Sequence, residues 1–166
     1  MPYVLLLLGI LGLLVPHPSN FTPLGAVGLC AGAHCRPRTA WMVPIGSLLI
    51  VNVIGGFYNP VVMLFVYLGF LAGPLMGWAF LHRRRSVLRF GGAVLGSSTA
   101  FFILSNFGVW LTGMYPQTLS GFIDCYVRAI PFYQMTLLGN VIYGAVLFGG
   151  YALASQKFKR AEHAVG

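Results

Sequence analysis

The chain alternates between apolar runs of helix length and short junctions marked by proline, glycine or arginine. Taken in order, the runs predict six helical spans at about residues 2–16, 21–35, 40–57, 60–81, 87–111 and 131–154. The first would reach about 24 Å from Met1 to Pro16, slightly short for a hydrocarbon core of about 30 Å. It lacks a basic leading stretch and a small-residue cleavage site, so it reads as a retained helix and not a signal peptide. Pro16, His17 and Pro18 end it. The second run is short and built of small residues. The fourth is the cleanest by length, interrupted by Gly73-Pro74 and closed by His82 and Arg83, Arg84 and Arg85. No junction is long enough to fold separately, so residues 1–166 read as one integral membrane domain.

Polar residues gather in one place. The stretch 105–132, SNFGVWLTGMYPQTLSGFIDCYVRAIPF, holds Asn106, Trp110, Tyr115, Asp124, Tyr126 and Arg128, and apolar spans flank it on both sides. It reads as the outer end of the fifth span, an outer loop, and the entry to a sixth span starting at Pro131. In space it is expected to meet the His17–Asn20 turn and the Asn52 end of span three.

Composition turns these runs into membrane spans. The 166 residues are 58% hydrophobic and 7% charged, with mean hydropathy +0.83, whereas a soluble domain carries about 25% charged residues. In a soluble chain a net charge of +8 would suggest nucleic acid. Here nine of the ten basic residues fall at junctions that six spans place on one side, and Arg128 stands alone on the other. That asymmetry predicts cytoplasmic N- and C-termini, with the lipid bilayer rather than nucleic acid as partner. Cys30, Cys35 and Cys125 form neither a disulfide framework nor a metal-ligand spacing.

Catalysis finds no support. GGAVLGSST (91–99) lacks the lysine of a phosphate loop, no Ser/His/Asp grouping occurs, and the two carboxylates lie far apart. The expectation is a non-enzyme without metal or cofactor. Asp124 and Arg128 are four residues apart and would face each other on a helical turn, either as a plain interfacial ion pair or as contacts for a charged ligand. Asn52, Asn106, Gln134 and Asn140 are amides within or at the edge of spans. Each could serve inter-helical hydrogen bonding, or they could share a cavity in the outer halves of spans three, five and six. Trp110, Tyr115 and Tyr126 fit an aromatic belt or a stacking surface, and His17 and Asn20 lie in the first outer loop. Gly9, Gly12, Gly28 and Gly32 give smooth helix faces, suited to packing within the bundle or to docking another membrane protein.

With these residues quoted, HPSNFTPLGAVGLCAGA, the 105–132 stretch and TLLGNVIYG together resemble an uncharacterised family of small six-span bacterial proteins catalogued as candidate transporters. In size, span number and layout that family is similar to the S components of energy-coupling-factor (ECF) vitamin transporters. The resemblance implies an ECF S-component-like all-α bundle in the bacterial cytoplasmic (inner) membrane. It implies a subunit that binds a small vitamin-like solute under its outer loops and works with a coupling membrane subunit and separate ATPases. Gly9, Gly12, Gly28 and Gly32 would then be docking positions. Two other readings stay open: a membrane scaffold with no transported ligand, and an autonomous secondary carrier, which the absence of an internal repeat disfavours.

Overall fold

A computed structural model describes residues 1–84 and 86–165, with side chains through residue 156. Its regular elements are α1 (Pro2–Leu14), α2 (Leu24–His34), α3 (Pro37–Gly55), α4 (Pro60–Met76) with a π turn (Gly77–Leu81) continuing it, α5 (Val87–Leu111) and α6 (Leu119–Val165); no strand occurs among the described residues. Four of these helices are long and apolar enough to cross a membrane: α3, α4 with its π turn, α5, and α6 as far as residue 156. α1 and α2 have 13 and 11 residues and reach only about 20 and 16 Å. Large apolar side chains such as Leu7, Val53, Leu64, Leu95 and Val146 stand exposed around the perimeter, as contact with acyl chains requires.

Helix starts follow local chemistry. Pro2, Pro37 and Pro60 occupy first-turn positions, where a missing N–H costs nothing. The Asn59 side chain accepts from the N–H groups of Val61 and Val62 at 3.0 and 3.3 Å, and Ser86 accepts from Arg89 at 3.2 Å. The sixth helix departs from expectation. Thr118 accepts the N–H of Gly121 at 3.2 Å, and this cap starts α6 at Leu119 instead of Pro131. Pro131 lies inside the helix, where its ring removes the bond to the Val127 carbonyl without ending the helix. The connection after α5 is therefore only residues 112–118, and Asp124, Tyr126 and Arg128 sit on a helix rather than in an outer loop.

α2 is the axis of the bundle. Every residue from Leu24 to Ala33 is buried, and the helix packs against each of the other five. Those five form an open ring in the order α1, α3, α4, α5, α6, with a gap between α1 and α6. Backbones meet along α2 and α4: a Cβ on Gly32 would overlap the Pro74 carbonyl, and one on Gly77 would overlap the Leu29 carbonyl. The four glycines considered for docking all face this same chain. Gly9 lies against Ser47, Gly12 against Pro23, and Gly28 and Gly32 against Pro74. A partner helix would have to displace those neighbours.

The two ends differ in charge. Arg36 and Arg38 start α3, Arg83 and Arg84 follow the π turn, and Arg89 begins α5, all at the end where His82 Nδ1 meets the Ala33 carbonyl at 3.3 Å. Burial pushes the Cys35 thiol up at this end, which keeps it protonated. Arg85 and the side chains of Lys157, Lys159 and Arg160, which also carried the charge argument, lie outside the described residues. The opposite, neutral end holds the turn 15–23 and the connection 112–118.

Candidate functional site

Because α2 spans only about half the bundle's height, nothing fills the axis above its first residue. The preceding turn folds over this space, and Asn20 takes a left-handed conformation there (φ 63°), one that asparagine tolerates better than most residues. Two adjoining cavities result, sharing Asn20, Val66 and Phe101.

The larger, of about 360 Å³, lies in the gap between α4 and α6, which both flank α5 but do not pack on each other. Its apolar wall includes Val62, Val66, Phe101 and Phe132, and its polar groups are Ser19, Asn20, Ser105, Asn106, Tyr115 and Arg128. The smaller, of about 220 Å³, sits directly over α2 and is lined by His17, Asn20, Thr22, Gly25, Thr136 and Asn140. Asn140 is 3% exposed and donates Nδ2–H to Ser98 Oγ at 2.8 Å. Gly25 makes room for it: a Cβ there would overlap the Asn140 amide.

Arg128 donates Nε–H to both Asp124 oxygens at 2.9 Å. Both side chains are substantially exposed, at 68% and 47%, so the pair sits at the rim. Arg128 lines the larger cavity and Asp124 does not. The i, i+4 pairing expected from the sequence is present because α6 begins early enough to carry both residues.

The other expected residues divide between cavity and scaffold. His17, Asn20, Asn106, Tyr115, Arg128 and Asn140 line one cavity or the other. Asn52 instead donates to the Tyr67 hydroxyl at 3.0 Å, joins α3 to α4, and lines neither cavity. Trp110 donates Nε1–H to the Pro116 carbonyl at 3.2 Å and packs edge-on against Phe122. With Gln117 Nε2 donating to the Trp110 carbonyl at 2.6 Å, these bonds tie the 112–118 connection down. Tyr126 donates its hydroxyl to the Ile103 carbonyl at 2.7 Å, pinning α6 to α5. Gln134 is exposed on α6, outside both cavities.

Ser105 and Thr136 line the cavities and were not anticipated. The signal existed: Thr136 lies one helical turn before Asn140, hence on the same face, and Ser105 adjoins Asn106. Groups of His, Cys, Asp and Glu able to hold a metal ion are absent among the described residues.

Among the described residues the chain has an all-helical fold with four helices long and apolar enough to cross a membrane, an apolar perimeter and a polar hollow at one end, the architecture of a membrane protein. Its sequence matches the model of a family of unknown function, DUF6580, over residues 1–162, and the chain belongs to that family. No curated protein and no solved structure matches it.

Proposed function

We propose that the protein captures a small organic solute in the hollow above α2 and hands it to a separate energised transport machine. The observation that carries this reading is the pair of adjoining cavities beyond the start of the short central helix, apolar-walled with a few amides and hydroxyls. Hydrogen-bonding groups in the hydrocarbon region are costly unless they face one another, water or a ligand. Cavities of this size lined by apolar walls and a few convergent polar groups are the usual form of a small-molecule site.

In this reading α1 and α2 count with the four long helices as six membrane-embedded spans. The basic end, with Arg36, Arg38, Arg83, Arg84 and Arg89, faces the cytoplasm, and the cavities open on the opposite side of a bacterial inner membrane. The charge asymmetry supports this orientation. The chain carries no nucleotide-binding motif of its own, so uptake would draw on separate coupling and ATPase subunits, as the resemblance to ECF S components implies.

The test is co-expression with an ECF coupling subunit and its two ATPases, followed by purification through a tag on this chain. Recovery of the ATPases, together with uptake that depends on ATP hydrolysis, is expected. A folded protein that recovers no ATPase and retains no small molecule contradicts the proposal. Recovery of a partner without any retained solute would instead favour a membrane scaffold.

A further inference from the structure

The hydrogen bonds already made by the cavity side chains restrict what a ligand can offer them; the argument rests on the solute-capture reading. In the larger cavity Asn106 donates Nδ2–H to the Phe102 carbonyl at 2.8 Å, and Ser105 donates its hydroxyl to the Phe101 carbonyl at 2.7 Å. A carbonyl can only accept, so the Ser105 hydroxyl proton and one of the two Asn106 N–H groups are committed to the backbone. What remains for a ligand is the Asn106 Oδ1, the second Asn106 N–H and the lone pairs of Ser105 Oγ, a set in which acceptors predominate. The smaller cavity repeats the pattern. Thr136 donates to the Phe132 carbonyl at 3.0 Å and Asn140 donates one N–H to Ser98 at 2.8 Å, leaving Thr136 Oγ1 and Asn140 Oδ1 as acceptors beside the second Asn140 N–H. His17 Nδ1 lies 2.9 Å from the Pro18 carbonyl and donates to it, so in the neutral ring Nε2 is an acceptor too.

Charge points the other way at the rim. Arg128 lines the larger cavity, no carboxylate lines either one, and Asp124 occupies only the Nε edge of the guanidinium. The terminal N–H groups of Arg128 remain as the strongest donors on the wall, in the fork geometry that suits a carboxylate. A cationic solute would meet Arg128 on the wall while Asp124, its rim partner, lies outside the lining, which selects against that class.

We propose that the ligand is a small organic monocarboxylate bearing N–H or O–H donors along its body. Its carboxylate pairs with Arg128 at the rim, and its apolar surface lies against Val66 and Phe101. Its donors meet Ser105 and Asn106, then Thr136 and Asn140 at the deeper end. The cavity volume, about 360 Å³ before the inner chamber is added, suits a drug-sized acid.

The experiment uses the purified full chain in lipid nanodiscs. It is incubated separately with the anionic, neutral and cationic ion-exchange fractions of a small-molecule extract from expressing cells, and retained masses are read by native mass spectrometry. Retention from the anionic fraction is expected, with occupancy falling roughly tenfold in Arg128→Gln, the loss of one charge-assisted contact. A melting temperature for ligand-free Arg128→Gln equal to that of the wild type shows that the variant folds; if it is lower, Arg128→Lys, which keeps the charge, is expected to retain the ligand. Retention from the neutral or cationic fraction alone, or equal anionic retention by wild type and Arg128→Gln, overturns the assignment and leaves solute capture standing. No retention from any fraction overturns both.

Discussion

Along α2, from the Gly25 carbonyl at Gly73 to Gly32 at Pro74, the backbone lies against α4, whereas beyond the start of α2, toward the neutral end, Val66 and Phe70 of α4 face a cavity instead. Both arrangements arise from one short helix of small residues. Where glycine meets backbone, at Gly32 with Pro74 and at Gly77 with Leu29, close approach replaces side-chain packing. Where α2 stops, at Leu24, amides and hydroxyls from α5 and α6 take over the wall. The difference separates a close-packed part of the molecule from a hollow part, which the proposed solute site occupies.

Substitutions should divide along that line. The largest effect is expected at the tight end: in Gly32→Val the new side chain overlaps the Pro74 carbonyl, a backbone atom that cannot swing aside. Overpacking of this kind costs about 1–3 kcal/mol or more, so the variant should fail to yield monodisperse protein in detergent, or melt far below the wild type. Wild-type melting would break the comparison. Next is Asn140→Ala, which removes the bond to Ser98 and should lower stability by about 0.6–2 kcal/mol while also abolishing solute retention. A melting curve and a retention assay on the same sample read both effects, and loss of stability without loss of retention would move the site away from the inner cavity. The smallest structural effect is expected for Asn20→Gly. Glycine accepts the positive φ at no steric cost, so melting should shift by no more than a few tenths of a kcal/mol. Retention should still fall, because the amide shared by both cavities is gone.

Much of this was legible in the chain. The bounds of α4 with its π turn and of α5 agree with the apolar runs at 60–81 and 87–111, because Asn59, Pro60 and Ser86 are unambiguous start signals. The burial of α2 follows from its small residues, which let neighbouring helices close on every side of it. Three things were hidden. Pro131 reads as a boundary, yet the Thr118 cap and the apolar residues on either side carry α6 through it. The glycine faces read equally as outward docking surfaces or inward packing, and only the three-dimensional arrangement turns all four inward. Trp110, Tyr126 and Asn52 read either as ligand groups or as structural ones, an aromatic belt and inter-helical bonding. Their polar atoms are committed to Pro116, Ile103 and Tyr67, a choice set by helix register that residue type does not reveal.

The central claim, that the hollow over α2 is a solute site, is tested most directly by filling it without touching its polar groups. Val66 lines both cavities and makes no side-chain hydrogen bond, so Val66→Trp should occupy the shared space. Native mass spectrometry of wild type and variant, both drawn from native membranes and both monodisperse, gives the answer. The account predicts a small organic molecule on the wild type and none on Val66→Trp. The same bound mass on both proteins, or a folded wild type that carries none, would contradict it.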